Sequence, residues 1–109
     1  MISWQDFEKI ELHAGTIVRA EKFENARKPA YKLWIDLGDI GIKCSSAQIT
    51  IHYKIEDLIG KQVLCVTNFP PKQIANFISE VLVTGFADPD NHVILCSVDK
   101  PVPNGARLF

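Results

Sequence analysis

The stretch Asn68-Phe69-Pro70-Pro71-Lys72-Gln73-Ile74-Ala75-Asn76-Phe77-Ile78-Ser79 decides how the rest of the chain is read. It follows the apolar run Val63-Leu64-Cys65-Val66 and precedes Val81-Leu82-Val83. Both runs are short and rich in β-branched residues, so both read as buried strands. Pro70 and Pro71 cannot donate to a strand ladder, which argues against a tight hairpin between them. The expectation is a semi-rigid loop carrying amide, ammonium and hydroxyl groups beside exposed Phe69 and Phe77. Loops held stiffly between strands often carry function. The competing reading is a plain crossover whose phenylalanines plug the end of a barrel.

Outward from this stretch the chain alternates strands and turns. Tyr31, Leu33, Ile35 and Leu37 alternate with Lys32, Trp34 and Asp36, the pattern of a half-buried strand. Gly38-Asp39 closes it, and Ile40 to Cys44 forms the next, so the two are expected to pair as a hairpin. Leu12 to Phe23 reads as a long strand with Leu12, Ala14, Thr16, Val18 and Ala20 inward, and Gly15 marks a bend or bulge. Ser45 or Ser46 is suited to cap a helical turn, and Gly60 to stop the helical segment that follows. Strands are expected over Glu80 to Phe86 and Val93 to Val98, with turns at 87–91 and 101–105. At the start, Ser3 and Asp6 fit a capping box for a short helix reaching Ile10, with Trp4 and Phe7 on one face.

Three strands, a short helical connection and two or more further strands predict an all-β fold. The helix between the third and fourth strands favours a five-stranded OB-fold barrel over an SH3-like one. A chain of 109 residues is expected to form one domain across 1–109. Its 47% apolar and 23% charged residues suit a soluble protein, and a net charge of −1 argues against a dedicated, strongly basic nucleic-acid binder. No basic and apolar leader opens the chain and no run is long enough to span a membrane. Three dispersed cysteines predict reduced thiols and a cytoplasmic setting.

No catalytic constellation, cofactor motif or metal-ligand spacing is present; His13, His52 and His92 fall in different elements. The charge pattern is more telling. Between Arg19 and Lys32 lie five basic residues (Arg19, Lys22, Arg27, Lys28, Lys32) and two acidic ones, Glu21 and Glu24. Lys32 and Trp34 share the polar side of their strand, and Lys43 lies on the strand that pairs with it. An aromatic among lysines on an open barrel face can stack bases and hold phosphates, with stacking worth about 1–3 kcal/mol per base. A dimer contact made by the same tryptophan is the plainer alternative.

Segments spread along the chain resemble the CsaA proteins, a group within the tRNA-binding domain superfamily. They are Asp6-Phe7-Glu8-Lys9, Gly15-Thr16-Ile17-Val18, Gly41-Ile42-Lys43, Ser45-Ser46-Ala47-Gln48-Ile49-Thr50, Asn68-Phe69-Pro70-Pro71, Ser79-Glu80-Val81-Leu82-Val83 and Val102-Pro103-Asn104-Gly105. The resemblance implies an OB fold, a homodimer, structure-directed tRNA binding, and a role as an export-related chaperone that holds unfolded precursor proteins. It also implies that the terminal segments pack on the partner, which gives Trp4, Phe7, Val102, Pro103, Leu108 and Phe109 a place in the interface.

Asn68, Pro71 and Ser79 match the superfamily motif, and Lys72 supplies its charge. Gln73 stands where a basic residue is usual, Asn76 where glycine is usual, and Ile78 where CsaA relatives can carry lysine. Arg19, Lys32, Lys43 and Lys72 are the expected phosphate contacts. Asn68, Gln73 and Ser79 are expected to hydrogen-bond RNA, with Ser45, Ser46 and Gln48 forming the rim beside Lys43. If the ligand is instead an extended polypeptide, Trp34, Phe69, Phe77 and Ile78 form an apolar groove.

Overall fold

The computed structural model describes residues 1–109. In chain order its elements are α1 (Trp4–Glu8), β1 (Leu12–Lys22), β2 (Tyr31–Asp36), β3 (Ile42–Ala47), α2 (Ile55–Leu58), β4 (Gln62–Val66), β5 (Lys72–Ile74), β6 (Phe77–Ser79), β7 (Leu82–Val83), β8 (Gly85–Ala87) and β9 (Val93–Leu95). Five strands form an antiparallel sheet in the order β3-β2-β1-β4-β7, and β5-β6 and β8-β9 are separate two-stranded hairpins. The expected all-β class and the helix between the third and fourth strands are both present, and the sheet curls into a nearly closed, OB-like barrel.

β2 forms because its alternation is strict. Leu33, Ile35 and the following Leu37 are fully buried, while Lys32, Trp34 and Asp36 are only partly covered. With Ile17, Leu58, Val63 and Cys65 they make the main core, and Leu58 from α2 caps its end. A second, smaller cluster joins Phe23, Ala30 and Phe77.

The long first strand departs from its expected facing. Ile17 is fully buried and Val18 is exposed, the reverse of the alternation read from the sequence. The pairing with β2 shifts from Ile17↔Ile35 to Arg19↔Trp34, so Val18 is an extra residue on its strand. One inserted residue exchanges the faces on either side of it. The bulge sits at Val18 and not at Gly15. Gly15 is needed for close packing: a Cβ there would lie 2.5 Å from Ile35 Cγ2 and 2.9 Å from the Asp36 carbonyl.

Other boundaries also move. α1 has the predicted capping box, with Ser3 Oγ accepting from Asp6 N and Asp6 Oδ2 accepting from Ser3 N, but it ends at Glu8. Ser45 and Ser46 do not cap a helix; they continue β3, opposite Leu33 and Lys32. The segment after the two prolines contains a hairpin after all, because Pro70 and Pro71 precede β5 instead of occupying it. Its left-handed residue is Ala75, at φ 51°, and not Asn76. The expected strand 80–86 is divided into β7 and β8.

The barrel closes along the free edge of β3. Glu80 N and Val81 N both donate to the Cys44 carbonyl, at 2.8 and 3.3 Å. Side chains complete the seam: Ser46 N donates to Ser79 Oγ at 3.1 Å, and Cys44 N to Glu80 Oε1 at 3.1 Å. The C-terminal tail runs beside β1, where Gly105 N and Leu108 N donate to Ala14 O and Leu12 O. No helix is long and apolar enough to cross a membrane.

Candidate functional site

The β5-β6 hairpin stands beside the seam, and between them lies a cavity of about 520 Å³. Ser46, Gln48, Lys72 and Ser79 line it, together with Phe69, Pro70 and Glu80; Ser45 also borders it but, opposite fully buried Leu33, is itself only 2% exposed and is not the rim contact expected of it. A neighbouring cavity of about 220 Å³ is lined by Lys43 and Pro71, and shares Phe69 and Glu80 with the first. β3 and β6 thus bring together side chains that are more than 30 positions apart in sequence, such as Ser46 and Ser79 with |i−j| of 33. Phe69 is 55% exposed and borders both cavities.

Arg19, Lys32 and Trp34 form a different group. The Arg19 guanidinium lies 4.4 Å from the Trp34 ring centroid and is paired with Glu21. Lys32 Nζ lies 5.0 Å from the Phe23 ring and 5.3 Å from the Phe77 ring. Phe77 packs edge-on to both Phe23 and Trp34. Phe77, expected to be exposed, is only 9% accessible: the bend of the hairpin turns its side chain inward, while Ile78 points to solvent.

Asn68 sits apart from the cavity. Its amide donates to Lys9 O at 2.7 Å and accepts from Glu11 N at 3.1 Å, fastening the end of α1 to the end of β4. Gln73 is exposed and donates to Ala75 O at 2.8 Å within its own turn. Trp4 and Phe7 pack with their rings tilted at 46° and centroids 5.3 Å apart, and with Ile10, Leu108 and Phe109 they line a recess of about 300 Å³. Val102 and Pro103 are exposed on the tail.

Glu80 is the residue that the sequence reading passed over. Its Oε1 accepts from the Cys44 amide and from Cys44 Sγ at 3.0 Å, and its Oε2 lies 3.9 Å from Lys43 Nζ. The hydrogen bond from the Cys44 thiol, helped by the Cys44 amide and Lys43, holds this carboxyl below its usual range despite partial desolvation. Burial, together with the neighbouring Glu80, pushes the Cys44 thiol up to about 11. Burial alone pushes Cys65 up to about 12. The signal for Glu80 was its place next to Ser79, but its contacts are all with a strand 36 positions away.

Away from the groove, His52 Nε2 lies 2.7 Å from Asp88 Oδ2. No group of three or more His, Cys, Asp or Glu side chains is placed to hold a metal ion. The groove offers hydroxyls, an amide, two ammonium groups, one carboxylate and one exposed aromatic ring. That set can bind a polar, partly anionic polymer by hydrogen bonds, charge and stacking.

Comparison with known proteins places the chain in a family. Residues 12–107 match the family model described as "Putative tRNA binding domain". The crystal structure of the chaperone CsaA from Bacillus anthracis str. Ames superposes with a TM-score of 0.94 at 47% identity, covering 100% of this chain and 99% of that one. The CsaA chaperone protein from Picrophilus torridus does so with a TM-score of 0.92 at 51% identity, covering 100% of both. Methionine–tRNA ligase of Methanocaldococcus jannaschii is 36% identical over 101 residues, which is 93% of this chain and 15% of the ligase. The chain therefore spans only a small part of the curated relative, and the ligase reaction does not transfer with the likeness. The matched family model and the full-length structural likenesses agree: the chain belongs to the tRNA-binding domain family and resembles its CsaA members.

Proposed function

We propose that this chain is a single, non-catalytic domain that binds tRNA by its shape and works as a cytoplasmic homodimer. The observation that carries the reading is the shared cavity, where Ser46, Gln48, Lys72 and Ser79 meet beside exposed Phe69. Lys43 extends the same surface through the adjoining cavity. Phosphates go to Lys72 and Lys43, and a base stacks on Phe69. Arg19 and Lys32, held over aromatic rings, supply a second positive strip that a large RNA can reach. The recess formed by Trp4, Phe7, Leu108 and Phe109 supports self-association, and two copies would present the groove twice to one ligand.

Titration of the protein with bulk tRNA at two salt concentrations tests this. Binding that weakens steeply with salt is the expected result. No binding at low salt would reject it.

A second reading has its own support. The two structural neighbours are described as chaperones, and Phe69, Ile78 and Leu82 are all about half exposed near the groove. Under this reading the groove holds extended, unfolded precursor polypeptide for the export machinery. Suppression of a model protein's aggregation, unaffected by salt, would favour it.

A further inference from the structure

The groove has a carboxylate on its lining, which repels the phosphates that its lysines attract. Glu80 borders both cavities, and its side chain is 36% exposed. It also closes the seam through Cys44, but that role uses mainly one of its oxygens. The two oxygens are not equally occupied. Oε1 takes the Cys44 amide at 3.1 Å and the Cys44 thiol at 3.0 Å, whereas Oε2 has only Lys43 Nζ at 3.9 Å. The thiol also has a second acceptor, the Ile78 carbonyl at 3.3 Å. It can turn to that carbonyl and release a lone pair on Oε1 without losing a partner.

We propose that Glu80 reads the Watson–Crick edge of an unpaired guanine in the RNA held by this groove. Guanine is the base that presents two adjacent donors, N1–H and the N2 amine, matching the two acceptors of a carboxylate. Adenine and cytosine set a ring acceptor beside their amine, and that lone pair would face a carboxylate oxygen. Uracil offers one N–H between two carbonyls. Reading an unstacked base on this edge is the common route to sequence preference in single-stranded RNA. Phe69 supplies the stacking face, and Lys43 and Lys72 flank it for the phosphates on either side. A glutamate carboxyl is ionised at neutral pH whether or not the thiol stays on it, so it remains an acceptor there.

This inference rests on the RNA-binding reading, and the test separates the two. The full chain is titrated by fluorescence anisotropy with short oligouridylates that carry one guanine, one inosine or one adenine, alongside bulk tRNA. The guanine oligomer is expected to bind about ten-fold tighter than the adenine one. Inosine, which lacks the N2 amine, should fall between them. Glu80→Gln keeps an acceptor for the Cys44 amide but replaces the second acceptor with a donor. A carboxamide pairs with adenine, and with guanine only through O6 and N1–H, so the variant should lose the preference for guanine over adenine and bind the guanine and inosine oligomers alike. A residue that only closes the barrel would leave the order of the three oligomers unchanged. Binding of tRNA with no base preference among the oligomers, or with no binding to them, overturns the guanine assignment and leaves the RNA reading standing. Failure of tRNA and oligomers alike rejects both.

Discussion

The side-chain amide of Gln62 makes two hydrogen bonds with the backbone of Val102: Nε2 donates to the carbonyl at 2.8 Å, and Oε1 accepts from the N–H at 2.9 Å. A side chain on β4 thereby takes the place of a strand partner for the tail. Nearby, Asn104 Oδ1 accepts from Thr16 Oγ1 at 2.6 Å and from Gln62 Nε2 at 3.3 Å. Gly105, at φ 90°, lies so close to β2's end that a Cβ there would sit 2.6 Å from the Leu37 carbonyl. The segment Val102-Pro103-Asn104-Gly105 is thus a docking motif, and its residues are fixed by what they touch.

Gln62→Ala removes both bonds, and the longer one to Asn104, and leaves the Val102 backbone groups to solvent. Because the site is partly exposed, the loss should be about 1–2 kcal/mol. Thermal denaturation should show a fall in Tm of about 4–8 °C per kcal/mol for a domain of this size. Amide exchange should quicken at Gly105 and Leu108, whose N–H groups bond to β1. Unchanged exchange at both would mean that the tail is held by its β1 pairing alone.

The Ala75 turn makes the opposite prediction. An L-residue with φ 51° is strained, and glycine at such a position is not. Ala75→Gly should gain about 0.5 kcal/mol once the greater freedom of glycine in the unfolded chain is set against the relief. The urea midpoint would rise slightly. A lower midpoint would show that the methyl group contributes more than the strain costs.

Phe77 and Ile78 separate stability from binding. Phe77 is buried against Phe23 and Ala30, so Phe77→Ala should destabilise by about 3 kcal/mol and is a poor probe of any ligand. Ile78→Ala and Phe69→Ala alter exposed side chains and should leave stability within about 0.5 kcal/mol. If the groove holds polypeptide, these two variants should lose aggregation suppression at any salt. Full activity in both would count against an apolar peptide groove.

These cases show which parts of the chain were legible in its sequence. The alternation of β2 was plain because every inward position from Leu33 to Leu37 is aliphatic and every outward one is polar or amphipathic. The class of fold and the place of α2 followed from such local patterns. Ile17 and Val18 could not be separated, since both are β-branched and only the pairing with Trp34 and Ile35 reveals the extra residue. Ser45 and Ser46 have the chemistry of caps, but their strand partners override that preference. The β5-β6 turn, Ala75-Asn76, lacks the glycine that marks most tight hairpins. Of the candidate residues, Ser46, Gln48, Lys72 and Ser79 come together on one cavity while Arg19, Lys32, Asn68 and Gln73 do not, and the bond between Cys44 and Glu80 depends on barrel closure and left no local trace.

The Cys44–Glu80 contact gives a pH prediction with a definite sign. The Glu80 carboxyl is lowered from its ordinary 4.5, chiefly by the Cys44 thiol. Its contribution to stability is present above that unfolded value and is lost as pH falls through the lower folded one. The stability difference between wild type and Glu80→Gln should therefore shrink on acidification below about pH 4.5. With its thiol raised to about 11, Cys44 should react slowly with iodoacetamide at pH 8, and faster in Glu80→Gln. Burial is the larger cause of the shift, so the variant will not reach the rate of a free thiol. Equal rates in the two proteins would remove Glu80 as an influence on the sulfur.

Lys72 and Lys43 differ in a way that salt titration can detect. Lys72 is exposed on β5 with no carboxylate partner, while Lys43 faces Glu80 at 3.9 Å. If both contact phosphates, Lys72→Ala and Lys43→Ala should each flatten the log-log salt dependence of tRNA binding by about 0.7–0.9. Lys43→Ala also leaves the Glu80 charge uncompensated in the groove, so it should weaken binding more than Lys72→Ala does at low salt. Raising the salt should narrow that gap, because the added repulsion is screened over roughly a Debye length. If neither lysine variant changes the slope, the phosphates are held elsewhere, and the Arg19 and Lys32 strip becomes the next surface to alter.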